Sequence, residues 1–318
     1  MNQLRKDYIL DKWVIIARER AKRPSDFIQR EKTKDSAKLC FFCPGNEKTT
    51  PPEIERVEED GRWIIRCFPN KYPATTEKKD CIEEGPSANM AAYGRHEVIV
   101  ETPEHDRELG DLDVKHISRV LLMYSRRLVE LKSMEGIEYV SIFKNRGKKA
   151  GASLAHSHTQ LIALPLIPQI IKEEMTNLID EEGKCRLCQS ISSELKSKRA
   201  ILEDEHTAVF APYASRSPFE VRIIPKRHVS SLENLDKKEM KSLASSLKKT
   251  LEALNKSLQY PPYNYHLHLG PGDRDFHMYL ELIPRLSTWA GFELGNDIII
   301  NTMPPENAAE HYREQINQ

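Results

Sequence analysis

The sequence carries no excess of charge. Lys+Arg and Asp+Glu each number 48, giving a formal net charge of +0 at pH 7. Such a balance supplies no broad basic field, and basic residues are not interleaved with aromatics, so nucleic acid is not expected as a partner. No apolar run approaches the roughly 20 residues of a membrane span, so no membrane association is expected either. The opening stretch MNQLRKDYILDKWVIIARER lacks the apolar h-region and small-residue cleavage site of a secretory leader, and a cytoplasmic protein is expected. The short period of a solenoid is also missing.

What remains is a globular balance, 39% hydrophobic and 30% charged, over 318 residues. That length suits about two domains or one duplicated unit. Of six cysteines, four form CxxC pairs: Cys40 with Cys43 in CFFC, and Cys185 with Cys188 in CRLC. A disulfide framework is not expected in a reducing compartment and a chain this long. Neither pair has the strand-then-helix context of a thioredoxin motif, and histidines follow each, which favours zinc. Cys67 and Cys81 stand alone and read as small buried residues.

The chain repeats itself. After CFFC comes RHEVIVETPEHDRELGDL, and after CRLC comes FEVRIIPKRHVSSLENL. Both are β-branched runs leading to a proline, then to His105 or His228 in the pattern H-x-x-x-L-x-x-L. Apolar residues at three- and four-residue spacing, each set opened by an Asp, predict helices over 113–134 and 236–258. A histidine-bearing strand follows each, and His158 and His277 each precede a proline by seven residues. The expected architecture is α+β: two duplicated units, antiparallel strands, one main helix per half. The halves are 1–170, with the first metal site and the nucleophile, and 171–318, with the second metal site. Residues 168–184 read as a linker, and the tail as a loop with a short terminal helix.

Two thiolates from one turn need two more ligands to close a tetrahedral site. In the first half these are His105 and one of His156 or His158. In the second, His228 joins His277, His266 or His268. In NRGKKAGASLAHSHTQLIALP, residues 145–165, His156 and His158 point to one side of a strand. A neutral imidazole with a free nitrogen can attack phosphorus. Its other nitrogen needs an acceptor to fix the tautomer. The small residues of AGAS allow backbone N–H groups near a phosphate. Ser153 adds a hydroxyl, and Gln160, on the face of His158, an amide donor.

The run NRGKKAGASLAHSHTQ resembles the active-site segment of galactose-1-phosphate uridylyltransferases, in the histidine-triad superfamily. Asn145, Gly147, Gly151, Ser153, His156, His158 and Gln160 match the motif, while Ser157 stands where the motif has proline. The resemblance implies histidine-triad-like units, a nucleophilic His158, and catalytic support from Gln160 and Ser153. It implies a first zinc site of Cys40, Cys43, His105 and His156. RERAKRPSDF implies that Arg20 and Arg23 approach substrate phosphates, and FPNKYPA points to Asn70 and Lys71 on the nucleotide side. Asn145 and Gly151 join the substrate-binding set, and WAGFELG implies Phe292 and Glu293 on the sugar side. The implied reaction is ping-pong transfer of uridylyl from UDP-glucose to a hexose 1-phosphate such as galactose 1-phosphate.

The second half departs from that pattern. Its CRLC resembles two-zinc relatives, a branch that includes ADP-glucose phosphorylase, and implies a site of Cys185, Cys188, His228 and His277. Glu174 and His277 are candidate remnants of the iron-type site found elsewhere in the family. One or two zinc ions per chain, nucleotide-sugar and sugar phosphate substrates, and a homodimer are expected.

Overall fold

The computed structural model describes residues 1–20, 24–28, 40–78, 90–272 and 274–318; Arg23 and Cys81 lie outside them. The chain opens with the hairpin β1 (Gln3–Lys6) and β2 (Trp13–Ile16). Then come β3 (Glu55–Glu59), β4 (Arg62–Pro69), β5 (His96–Val100), α1 (Val114–Lys132), β6 (Tyr139–Arg146) and β7 (His158–Leu164). Two helices follow, α2 (Gln169–Leu178) and α3 (Arg186–Lys196). The pattern repeats as β8 (Ala200–Glu203), β9 (Thr207–Phe210), β10 (Val221–Pro225), α4 (Lys237–Leu258), β11 (Tyr263–His268) and β12 (Tyr279–Pro284). The chain closes with α5 (Gly291–Asn296), β13 (Ile299–Asn301) and α6 (Pro305–Ile316).

Ten strands form one antiparallel sheet in the order β3-β4-β5-β7-β6-β11-β12-β10-β9-β8. Each half contributes five, and the two orders mirror each other about the β6–β11 pairing, where Asn145 opposes Asn264 and Phe143 opposes His266. The duplication read from sequence is therefore built as a continuous sheet. A small second sheet joins β1, β2 and β13.

The two long helices start where their aspartates predict. The Asp113 carboxylate accepts from His116 N–H, and Asp236 accepts from Lys238 and Glu239 N–H while Glu239 completes a capping box. Each such cap contributes about 1 kcal/mol. Both helices cover the same face of the sheet. Leu121, Leu128, Leu247 and Leu251 are fully buried there against Ile99, Ile142, Leu161 and Leu280. Each fully buried side chain of this kind is worth roughly 1.5–3 kcal/mol, so this layer contributes substantially to stability.

The opposite face carries the site residues, since alternate strand positions point there. It is covered in patches, by Phe42, Trp63 and Phe68 on the first half and by Ile9, Leu187 and Phe210 on the second. Gly94 sits where a Cβ would collide with the Ala163 carbonyl, at φ +146. Only glycine lets the chain pass so close to β7, and this approach delivers His96 to its neighbours on that strand. The segment expected as a linker joins β7 to the second half and contains α2, Gln169–Leu178, with Ile171, Glu174 and Leu178 buried. The terminal helix appears as α6 after Pro304.

Candidate active site and metal centres

β7 begins at His158, and the preceding residues turn into it. The Phe42 ring lies 6.2 Å from His156 and 5.3 Å from His158, so both imidazoles face the same side. His158 Nδ1 lies 2.8 Å from the His156 carbonyl oxygen, which can only accept. Nδ1 therefore carries the proton, and Nε2 holds the free lone pair. Burial, and then the charge of Lys144, bring the His158 pKa down to about 4. The ring is neutral near pH 7, as attack on phosphorus requires.

Gln160 shares the open face with His158. Its Oε1 lies 2.9 Å from His96 Nε2 and 3.4 Å from Asn70 Nδ2. Asn145 Oδ1 accepts from Asn264 Nδ2 at 2.7 Å, and the same amide donates to the Ala150 carbonyl at 2.8 Å. The loop behind His158 is thus tied to the second half. Within it Gly151 takes φ +87, a left-handed conformation suited to glycine. The amides of Ala150, Gly151 and Ala152 are spent on the turn itself, bonding the carbonyls of Gly147 and Lys148. They are not free for a phosphate, which corrects the expectation for most of AGAS. The Ser153 amide takes no part in that turn.

Beneath His158, on the helix side, lies a buried network that the sequence did not disclose. Lys144 Nζ donates to Glu101 Oε2 at 2.5 Å, to Ser157 Oγ at 2.8 Å and to the His158 carbonyl at 3.2 Å. Ser157 Oγ donates to Glu101 Oε2 at 2.6 Å, and Thr159 donates to Oε1 at 2.7 Å. Burial opposes the charge on Glu101, but Lys144 holds its carboxyl down at about 2. Ser157, which replaces the motif's proline, fixes this segment by hydrogen bonds in place of a ring.

Two groups bring their ligand atoms within 4.8 Å of one another: Cys40, Cys43, His105 and His156, and Cys185, Cys188, His228 and His277. In the first, Nδ1 of His156 lies 3.6 and 3.5 Å from the sulfurs of Cys40 and Cys43, and Nδ1 of His105 lies 3.3 Å from Cys43. In the second, Nδ1 of His277 lies 3.6 and 3.3 Å from Cys185 and Cys188. A tetrahedral ion with metal–sulfur bonds of about 2.3 Å and metal–nitrogen bonds of about 2.05 Å sets such edges at about 3.5 Å, so both groups fit. Burial and the adjacent thiol push Cys43 and Cys188 up to about 12, the cost of crowding two thiolates without a cation. The far nitrogens are held as metal-ligating histidines usually are. His156 Nε2 donates to the Thr102 carbonyl, His277 Nε2 to that of Pro225, and His228 Nε2 meets Asp275.

The second group corrects the strand register. Its member His277 lies two residues before β12 (Tyr279–Pro284), as His156 lies two before β7. His277 thus corresponds to His156, and the position of His158 is taken by Tyr279, that of Gln160 by Glu281. The shared seven-residue spacing to a proline therefore does not mark equivalent positions. Glu174 is not a member of the His277 group: it pairs with His268 at 2.8 Å and accepts from Tyr279 at 2.9 Å. His268 is therefore outside that group, and His266 has no hydrogen-bond partner among the described residues.

The remaining residues are more dispersed. Arg20 and Lys71 are exposed. Phe292 and Glu293 sit on α5, where Glu293 caps its own helix through the Ala290 amide, and no hydrogen bond or ring contact joins them to the residues around His158. No helix among the described residues is long and apolar enough to cross a membrane.

The family model for the N-terminal domain of galactose-1-phosphate uridyl transferase matches residues 1–168. The chain belongs to this family. A second model, for a domain of unknown function, matches residues 110–318 of this uridylyltransferase relative. An ADP-glucose phosphorylase of Arabidopsis thaliana is 37% identical, over 98% of this chain and 92% of its own. A galactose-1-phosphate uridylyltransferase of Thermotoga maritima is 32% identical, over 99% and 98%. A crystal structure of an Arabidopsis thaliana ADP-glucose phosphorylase with bound ADP-glucose matches with a TM-score of 0.85 at 35% identity, covering 99% of each chain. This family member is thus an enzyme of the nucleotidyltransferase kind, and the family acts on nucleotide sugars and sugar phosphates.

Proposed function

We propose that the chain moves a nucleotidyl group from a nucleoside diphosphate sugar through a covalent bond to His158. The observation that carries this reading is the 2.8 Å contact between His158 Nδ1 and the His156 carbonyl, which leaves Nε2 unprotonated. Nε2 attacks the α-phosphorus and a P–N bond forms. The bond from that phosphorus to the bridging oxygen breaks, and the electron pair leaves with the sugar 1-phosphate. The positive charge gained by the ring is delocalised to Nδ1–H and stabilised by the His156 carbonyl. An oxygen of the acceptor phosphate then attacks the same phosphorus and returns the pair to Nε2. Gln160 and Ser153 supply donors to the non-bridging oxygens.

Two donors fit this chemistry. UDP-glucose, with galactose 1-phosphate as acceptor, is supported by the family and by the Thermotoga relative. ADP-glucose, with inorganic phosphate as acceptor, is supported by the 37% identity to an ADP-glucose phosphorylase and the TM-score of 0.85. Incubation with each radiolabelled nucleotide sugar separately decides between them: the one that labels the protein is the donor. Labelling by neither removes the transfer reading.

Zinc is the proposed ion in both four-ligand groups, with a structural role, since all four positions are filled by the protein. Residues 1–170 form the half with the nucleophile and 171–318 the half with only the second metal group. A cytoplasmic location and a homodimer complete the proposal, the latter tested by sedimentation.

A further inference from the structure

His96 has no part in the reaction as outlined so far. It lies at the start of β5, buried, two residues after the close approach at Gly94. Burial lowers its pKa, so the ring is neutral. One nitrogen must then donate and the other accept. The Ala74 backbone N–H points at Nδ1 at 3.2 Å, and a backbone amide can only donate. Nδ1 is thus the acceptor, and the proton sits on Nε2, 2.9 Å from Gln160 Oε1.

A second anchor agrees with the first. The Tyr72 backbone N–H donates to Asn70 Oδ1 at 2.9 Å, which turns the NH2 end of that carboxamide toward His96 and Gln160. Asn70 Nδ2 lies 3.2 Å from His96 Nε2, where both are donors, and its hydrogen goes to Gln160 Oε1 at 3.4 Å. Two backbone amides of one loop, fixed in direction, thus specify which end of the Gln160 side chain faces inward. Its oxygen is committed, and its NH2 has no hydrogen-bond partner among the described residues. That side chain leaves β7 on the same face as His158, two residues along the strand.

We propose that His96 is a positioning residue: through its Nε2–H it locks the Gln160 carboxamide so that the NH2, not the oxygen, meets the phosphoryl group transferred at His158. An inverted carboxamide would present an oxygen to an anion and repel it. The proposal rests on the transfer reading above. It recasts Asn70 as part of the same lock, since both ends of its side chain are used inside the protein.

The test is a double-mutant cycle on nucleotidyl labelling and turnover. His96→Ala should lower kcat roughly tenfold to hundredfold, the scale of a misaligned oxyanion donor, with KM changing less. His96→Gln, whose amide nitrogen can replace Nε2–H as donor, should recover most of that loss. In a Gln160→Ala background, His96→Ala should cost nothing further, because the group it positions is gone. Equal losses in both backgrounds, or no rescue by His96→Gln, would overturn the proposal. If the unmutated protein labels with neither nucleotide sugar, the transfer reading fails instead. The lock is then read directly from nitrogen-15 NMR of labelled histidines. A neutral Nε2–H tautomer for His96 at pH 7 supports it, and an Nδ1–H tautomer or an imidazolium overturns it.

Discussion

The carbonyl of His156 accepts the Nδ1–H of His158 at 2.8 Å, so a residue of the first metal group also sets the tautomer of the proposed nucleophile. The spacing of two residues is what makes this possible. His156 turns its own Nδ1 to the cysteines while its main chain holds the neighbouring ring.

Replacing His158 with Asn keeps a side chain of similar polarity and removes the nucleophile. Turnover should fall by roughly 10⁴-fold or more, as for loss of a covalent catalyst, while metal content and melting temperature stay close to the parent's. Normal turnover by this variant would exclude His158 from the chemistry.

Metal content separates the two four-ligand groups. Cys40→Ser should lose about one equivalent of zinc and melt at a lower temperature, since binding to such a site is coupled to folding. It should also slow transfer, because His156 loses its anchor. Cys185→Ser should lose the other equivalent but affect transfer less, with Tyr279 where the first half has His158. Elemental analysis with thermal melts reads all of this. Parent protein free of metal as purified would contradict both sites.

Lys144 and Glu101 form an ion pair with side chains 1% and 0% exposed. Lys144→Met leaves the Glu101 carboxylate buried without its cation and should cost roughly 3–5 kcal/mol by chemical denaturation. Adding Glu101→Gln should recover a large part of that stability but not the transfer rate, because the His158 carbonyl still lacks its donor. A single Lys144→Met variant as stable as the parent would contradict the burial of this pair.

Much of this arrangement was legible in the sequence. Both CxxC pairs, the histidines that follow them and the aspartates opening α1 and α4 are spacing signals, and spacing survives folding. Glu101 and Lys144 gave no signal, because a charged residue in a β-branched run looks the same facing solvent or a buried partner. The helix within the linker gave no signal for a related reason. Glu174 breaks the apolar stripe of Ile171 and Leu178, yet it is buried against His268 and Tyr279. The equal spacing of His158 and His277 to a proline misleads because Pro165 follows β7 while Pro284 lies within β12; the two Cys/His groups mark the equivalent positions.

His268 supplies a pH dependence. Burial opposes its charge, but the Glu174 carboxylate raises its pKa to about 9 from the usual 6.5. A raised histidine contributes stability in full below about pH 6.5 and loses it as pH rises through 9. The melting temperature should therefore fall between pH 6.5 and 9.5, corresponding to a contribution on the order of 3 kcal/mol. His268→Gln should melt lower at pH 6.5 and flatten that slope. The same slope in both proteins would assign it elsewhere.

The central claim is a phosphorus–nitrogen bond on one imidazole per chain. Protein exposed to labelled nucleotide sugar, without acceptor, should be digested under alkaline conditions that preserve phosphoramidates, and the modified peptide sequenced by mass spectrometry. The account predicts one nucleotidyl group per chain, on His158, discharged on adding the acceptor. A label on another residue, or turnover with no covalent label under any trapping condition, would contradict it.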